Sequence, residues 1–247
     1  MRLININSLE DGMQLGDDIY DEYNRLLLSR GATIKGAYVT RLKQMGLPAL
    51  YVQDSDTSDI QVPKVIPPAA RTKALKNLTD TFSAISRSTE DFRQLSIEAA
   101  HENIQSKKFM DTFKSLTHNQ GIDQLAGDVN TFIDQLMNRD VIVGLNSIKT
   151  HDGYTFQHSI DVTIMGVLLA RKLAWSEDRL RDFGIGCLLH DMGKIFIDEE
   201  ILNKPDRLSE EEFERMKAHP TMGYELIKAI APSISYLIPH VAFQHHE

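Results

Sequence analysis

The 247-residue sequence is poor in cysteine and in positive charge, and each shortage excludes a class of protein. The single cysteine, Cys187, cannot form an internal disulfide, and its apolar neighbours favour a small core residue over a reactive thiol. Lysine and arginine number 27 against 35 aspartates and glutamates, so the net charge of −8 argues against a broad surface for a nucleic acid polymer. An anionic substrate therefore needs a local source of positive charge.

Long apolar runs are also missing. Residues 162–170 are flanked by polar residues well before the roughly 18 apolar residues that a bilayer span requires. The N-terminus has no apolar stretch followed by a small-residue cleavage site. These two absences predict a cytoplasmic protein with no membrane partner.

The first part of the chain predicts a small module, because strand and turn signals alternate over residues 1–54. Strands are expected at 2–6, 25–28 and 49–52, a short helix at 37–45, and turns at Gly12, Gly16 and Gly31. This α+β module contains no histidine and no cluster of catalytic groups. Residues 55–70, rich in Asp, Ser, Thr and Pro, then predict a linker.

Residues 71–145 predict a helical connector, since apolar residues recur at three- and four-residue steps. The interpretation of these stripes is helix packing, and the connector is also the candidate for a homodimer contact. The stripes are Leu75, Leu78, Phe82 and Ile85, followed by Val129, Phe132, Ile133 and Leu136.

Residues 146–247 predict an all-helical domain with recognisable helix starts and stops. One helix is expected at 156–173 and the next from Ser176 to Met192, just before Gly193. Ser209 with Glu212 three residues later predicts a capping box and a helix start at Glu210. Pro220 and Pro232 mark further boundaries. The fold class is therefore mainly α.

Six of the nine histidines fall in the last 90 residues, and one of them directly precedes an aspartate in an apolar stretch. A buried His190–Asp191 pair needs a partner, because an unpaired buried charge is costly. A divalent cation is one such partner, and an ion pair or cap formed by Asp191 with Lys194 is the other. The local sequence leaves both open. The six histidines are His158, His190, His219, His240, His245 and His246.

Five motifs in this order and spacing resemble the HD-GYP family of HD-type phosphohydrolases, over about residue 148 to the C-terminus. They are Tyr154-Thr-Phe-Gln-His158-Ser, Leu188-Leu-His190-Asp191-Met-Gly-Lys194, residues 201–212, Met216-Lys-Ala-His219-Pro220 and His245-His246-Glu247. The segment ahead of them is similar to one often found before such domains. Together the five motifs are far more specific than a lone His-Asp pair.

The resemblance implies a bacterial signalling enzyme that hydrolyses cyclic di-GMP with two divalent ions, iron or manganese first and zinc or nickel as alternatives. His158, His190 and Asp191 would hold one ion, and Asp191 would bridge to a second ion held with His219, His245 and His246. The catalytic groups would be Asp191 and Lys194, the latter on a phosphate. Metal-bound hydroxide would attack phosphorus in line.

Two departures from the family pattern bear on these expectations. Tyr154 stands where some members have a glutamate ligand for a third metal, which favours two metals. The sequence ends at Glu247, before the Gly-Tyr-Pro motif and a later aspartate that would complete the first site. The 247-residue chain is therefore expected to turn over cyclic di-GMP weakly or not at all. The alternatives are another HD-type nucleotide phosphohydrolase, or an inactive regulatory or binding form.

Overall fold

The structure is a computed structural model. It describes residues 1–20, 26–44, 49–53, 66–89, 97–107, 109, 121–137 and 154–247. They fall into two compact units, one within Met1–Thr72 and Gln135–Gln157, the other within Lys73–Asp134 and His158–Glu247. Most of these residues are helical, which confirms the mainly α class. The division at 1–54, 55–70, 71–145 and 146–247 stays a prediction, and its residues 55–65 and 138–153 lie outside the described residues.

The first unit contains the predicted α+β elements. Strand β1 (Arg2–Asn5) pairs antiparallel with β4 (Ala49–Val52), and β2 (Ile19–Tyr20) pairs with β3 (Leu26–Leu28). Helix α1 (Gly36–Gln44) follows the predicted turn at Gly31, whose φ of 85° suits glycine. Predicted ends at residues 25 and 45 lie outside the described residues. The small core of this unit consists of Ile6, Leu15, Ile19, Leu42 and Leu50.

Helices α2 (Pro68–Thr89), α3 (Ile97–Ile104) and α4 (Gly121–Leu136) carry the residues of the predicted connector. All eight residues of the two apolar stripes are buried, which confirms the helix-packing interpretation. A buried polar contact joins α2 to α4, because the Asn77 side-chain amide donates to Asp128 Oδ2 at 2.7 Å. Burial raises the pKa of Asp128, against the effects of Asn77 and Lys73. The homodimer contact stays a prediction.

The C-terminal helices are α5 (Tyr154–Lys172), α6 (Glu177–Leu189), α7 (Glu199–Leu202), α8 (Glu210–Lys217), α9 (His219–Ile230) and α10 (Leu237–Gln244). The prediction that α6 reaches Met192 is wrong, since the chain turns at Asp191 (φ −92°, ψ 9°) into a 3-10 helix, Met192–Phe196. Pro220 lies in the first turn of α9, as proline prefers. No helix of the described ranges combines the length and apolar character that a bilayer crossing requires.

The capping box at the start of α8 is present. Ser209 Oγ accepts the Glu212 backbone N–H at 3.2 Å, and Glu212 Oε2 accepts the Ser209 N–H at 2.6 Å. Lys204 holds the same carboxylate, with its Nζ 2.8 Å from Oε1. Two backbone N–H groups at the helix start thereby have acceptors, and the Lys204 side chain of the preceding loop is held at the same place.

Replacing Ser209 with alanine should lower the free energy of unfolding by about 1 kcal/mol, because the N-cap acceptor is lost. Ser176 is the matched control, since it caps α6 without a side-chain hydrogen bond to the helix. Ser176→Ala should therefore change the free energy little. Urea unfolding followed by circular dichroism measures both, and an equal loss in the two variants would contradict the role given to the capping box.

Candidate metal centre

The six predicted ligand residues converge in the second unit, although they come from four places in the sequence. His158 lies on α5, His190 and Asp191 follow the end of α6, His219 begins α9, and the last two histidines follow α10. His190, Asp191 and His219 are buried, with exposures of 4%, 1% and 3%. His158 and His245 are partly buried, and His246 is exposed at the rim.

The convergent side chains form two groups, each with its potential ligand atoms within 4.8 Å of one another. One group consists of His158, His190 and Asp191, and the other of His219, His245 and His246. This is the partition that the resemblance implies. Ring contacts join the groups, since the His190 and His245 ring centroids are 4.8 Å apart.

Asp191 lies between the two groups and directs one oxygen to each. Its Oδ2 is 3.2 Å from His190 Nε2, whereas its Oδ1 is 3.5 Å from His219 Nε2 and 3.6 Å from His245 Nε2. A carboxylate placed in this way is suited to bridge two cations.

Lys194 also reaches Asp191, with its Nζ 2.7 Å from Oδ2. The ion pair that the sequence left open is therefore present, whereas the Asp191 side chain does not cap the 3-10 helix. Burial acts to raise the pKa of Asp191, but its contacts with the His190 and His245 rings and the charge of Lys194 outweigh this effect and hold that pKa well below its usual range. Asp191 is consequently a carboxylate.

Three of the histidines are oriented by the same backbone contact. The Nδ1 atoms of His190, His219 and His245 each lie 2.7 Å from a carbonyl oxygen three residues earlier, of Cys187, Met216 and Ala242 respectively. A carbonyl can only accept, so each Nδ1 carries the proton. Each accepting carbonyl belongs to the last turn of a helix, where carbonyls are not used by the regular helical hydrogen bonds. The rings are thereby fixed with Nε2 facing the centre.

This orientation brings the Nε2 electron pairs of two rings towards each other. The contact shows whether a metal ion suits the site. His219 Nε2 and His245 Nε2 are 3.1 Å apart, and in neutral rings with protonated Nδ1 both atoms are acceptors. Burial lowers the pKa of His219 to about 4, against the carbonyl of Met216, so His219 itself does not supply a second proton to the contact near neutral pH. A cation does, and imidazoles with a carboxylate are a suitable donor set for a transition metal.

His158 and His246 complete the two groups with less buried rings. The pKa of His158 is lowered, first by burial and then by the charge of His190. The pKa of His246 is lowered as well, again first by burial and then by His245. Both shifts favour the neutral imidazole, which is the form that binds metals.

A cleft of about 580 Å³ opens over the centre and is lined by polar and apolar residues. The polar residues include Lys194, His240 and Gln244 beside the ligand residues. We call the apolar part of the lining the apolar wall, which consists of Val162, Trp175, Phe183, Leu237 and Val241. Sequence reasoning did not single out these residues or give His240 a role, because nothing local marks them as neighbours of the centre.

Cys187 is 3% exposed and lies beside the cleft. Burial raises the pKa of its thiol to about 12, so the group stays protonated. The prediction that Cys187 is a small core residue is therefore confirmed.

Residues 155–247, which carry all of these ligand candidates, match the family model of the HD domain. This segment is similar to HD domains and is called the HD domain below for that match. HD domains bind divalent metals, which agrees with the two groups of side chains described above. The identification confirms the family resemblance seen in the sequence.

Relatives of the HD domain include a cyclic di-GMP phosphodiesterase of Pseudomonas aeruginosa, 32% identical over 51% of this chain and 29% of that protein. A cyclic di-GMP phosphodiesterase response regulator of Xanthomonas campestris is 36% identical over 41% of this chain and 27% of that protein. A 3'3'-cGAMP-specific phosphodiesterase of Vibrio cholerae is 25% identical over 61% of this chain and 33% of that protein. The chain thus spans about a third or less of these relatives.

Among solved structures, an HDG"Y"P protein of Bdellovibrio bacteriovorus aligns with 100% of this chain and 77% of its own chain. The TM-score is 0.41 and the sequence identity is 18%.

Gly193 brings two ligand-bearing segments of the HD domain together. A Cβ at this position would overlap the carbonyl oxygen of His219 and lie 2.6 Å from the Gly223 nitrogen. The 3-10 helix after Asp191 can therefore approach the first turn of α9 only without a side chain here. The spacing between Asp191 and His219 depends on this contact.

Gly193→Ala should separate the 3-10 helix from α9 and weaken metal binding, because two backbone atoms and not a flexible side chain oppose the added methyl group. Gly127→Ala is the control, since a Cβ there meets nothing within 4 Å and alanine favours the helix. Thermal unfolding and manganese binding by equilibrium dialysis measure both. Retention of wild-type stability and metal affinity by Gly193→Ala would contradict this account.

Proposed function

We propose that the HD domain holds two divalent cations and acts as a metal-dependent phosphodiesterase. The observation that carries the proposal is the placement of Asp191, which directs one carboxylate oxygen to each group of histidines. In the proposed arrangement His158, His190 and Asp191 hold one ion. Asp191 is shared with a second ion, which His219, His245 and His246 hold.

Iron or manganese is the proposed metal, with zinc and nickel as alternatives. The donor set of five imidazoles and one carboxylate suits each of these ions, whereas magnesium and calcium prefer oxygen ligands. The backbone carbonyls that hold three of the rings fix their tautomers in advance.

Two bound cations lower the pKa of water and stabilise charge on phosphoryl oxygens, which is the chemistry that phosphodiester hydrolysis requires. The side chains of this chain contribute orientation and charge. Asp191 holds the two groups in register, and Lys194 adds a positive charge at the edge of the cleft that can bind a phosphate oxygen. The apolar wall limits the water around this charge and so strengthens the interaction.

Cyclic di-GMP is the proposed substrate. Its support is the names of relatives that are 32% and 36% identical over 51% and 41% of this chain. A second candidate is 3'3'-cGAMP, because relatives named for that substrate are 25% and 29% identical. Both ligands are cyclic dinucleotides with two phosphodiester groups, so the same centre suits either.

Asp191→Asn should remove most of the bound manganese, since a shared charged ligand is lost from both groups. Changes in residues that only support ligands typically weaken metal binding about 10- to 100-fold, and losing a ligand should cost at least as much. His240→Ala is the matched control, because His240 lines the same cleft but belongs to neither group. Elemental analysis after dialysis gives the metal content of each protein.

Equal metal content in wild type and Asp191→Asn would contradict the shared-ligand role. A loss of metal in His240→Ala as large as that in Asp191→Asn would contradict the assignment of the two groups.

Lys194→Ala should raise the Kd for cyclic di-GMP by roughly 10-fold or more, since a hydrogen bond to a charged group contributes about 1.5–3 kcal/mol. Lys194→Arg should keep most of the affinity. Calorimetry on manganese-loaded protein measures binding, chromatography of the linear dinucleotide measures hydrolysis, and 3'3'-cGAMP is titrated in parallel. Metal content is checked in both variants because Lys194 pairs with Asp191.

If Lys194→Ala bound cyclic di-GMP with wild-type affinity, the proposed contact of Lys194 with a phosphate would be wrong. Absence of both binding and hydrolysis for either cyclic dinucleotide, in protein that holds its metal, would overturn the proposed function. Tighter binding and faster hydrolysis of 3'3'-cGAMP would favour the second candidate.

A further inference from the structure

We infer that the apolar wall of the cleft is a nucleobase site in which the indole of Trp175 is the surface on which a purine stacks. The inference rests on the proposed function, since it gives a place to a base of the nucleotide whose phosphate lies at the metal centre. Trp175 and Phe183 line the same cleft as Lys194 and the ligand residues. One ligand can therefore contact both the apolar wall and the residues at the metal centre.

The backbone places Trp175 through an unusual turn. Helix α5 ends with the Ala174 N–H donating to the Arg171 carbonyl at 2.9 Å and the Trp175 N–H donating to the Ala170 carbonyl at 3.2 Å. This pattern needs a left-handed residue, usually glycine, at the position of Ala174. Ala174 has a φ of 57° and is the one non-glycine residue with positive φ in the described ranges. Such conformations concentrate at functional sites.

The indole of Trp175 is held from two directions before any ligand arrives. Its ring centroid lies 5.3 Å from that of Phe183 in an edge-to-face arrangement, with an interplanar angle of 66°. The Arg179 guanidinium carbon lies over the ring, 4.2 Å from its centroid. Arg179 does not line the cleft, whereas Trp175 and Phe183 do. A ring fixed in this way loses little freedom when a base stacks on it.

The chemistry of the cleft favours a base over other apolar ligands. A cyclic dinucleotide has anionic phosphates and flat purines, and the cleft combines a metal centre and Lys194 with aromatic and aliphatic residues. Its volume of about 580 Å³ is within the usual range for small-molecule sites. His240 and Gln244 add groups that can hydrogen-bond to a base edge.

Trp175 is the single tryptophan of the chain, so intrinsic tryptophan fluorescence reports on this position alone. Manganese-loaded protein is titrated with GMP, with ribose 5-phosphate and with cyclic di-GMP. We expect GMP and cyclic di-GMP to quench the fluorescence by stacking, and ribose 5-phosphate, which lacks a base, to leave it unchanged. GMP contains no diester bond, so its titration does not depend on turnover.

Substitutions test the same site by affinity. Trp175→Ala should raise the Kd for GMP and cyclic di-GMP by roughly 5- to 100-fold, the usual range for one base stacked on one aromatic ring, and should spare metal content. Trp175→Phe should recover most of the affinity. Leu169→Ala is the matched control, since Leu169 lies on α5, is 64% exposed and does not line the cleft.

The outcomes separate this inference from the proposed function. Binding of cyclic di-GMP without quenching, with wild-type affinity in Trp175→Ala, would overturn the nucleobase site and leave the proposed function in place. Failure of metal-loaded wild type to bind any cyclic dinucleotide would overturn both. If Trp175→Ala does not fold, the fluorescence of the wild-type protein and the affinity of Trp175→Phe decide the question.

Discussion

A buried carboxylate that needs positive charge is the constraint on which the C-terminal unit depends. Asp191 is 1% exposed, and burial of an unpaired carboxylate is among the most unfavourable events in folding. Lys194 supplies one positive charge, but it reaches only Oδ2, whereas Oδ1 faces His219 and His245. Because the backbone fixes the proton of each of these rings on Nδ1, their Nε2 atoms bring electron pairs to the same place. A cation between them satisfies the carboxylate and both rings together.

The packing of the helices and the geometry of the centre are consequently one problem. Three ligand candidates use a carbonyl in the last turn of a helix to orient their rings, so a displacement of any of these helix ends moves a ligand. The close approach at Gly193 joins two of these ends at backbone distance. Ligands placed on the ends of rigid helices are held more precisely than ligands on loops, which suits the proposed centre of two cations at a fixed spacing.

The sequence allowed the elements and the ligand candidates to be predicted, but not the turn that joins them. Periodicity identified the buried stripes of α2 and α4, and the Ser209–Glu212 pattern identified the start of α8, because these signals are local. The end of α6 at Leu189 was missed, because periodicity does not register the bond from His190 to the Cys187 carbonyl. Trp175 was missed for a different reason. It lines the cleft together with residues of α10, which come about 60 residues later, and no local pattern indicates that the two segments share a cleft.

The net charge of −8 has a consequence for selectivity. An acidic protein gains little long-range attraction for an anionic ligand, so under the proposed function binding would depend on the cations, on Lys194 and on contacts inside the cleft. Cyclic di-GMP and 3'3'-cGAMP present the same phosphates to the polar residues and differ only in one base. Interactions at the metal centre therefore stabilise the two ligands almost equally and cannot separate them. Discrimination between them must arise where the bases lie, which in the proposed site is beside Trp175 and Phe183, with the hydrogen-bonding groups of His240 and Gln244. Stacking alone tolerates either purine, so the polar side chains at the edge of the apolar wall have to supply the difference.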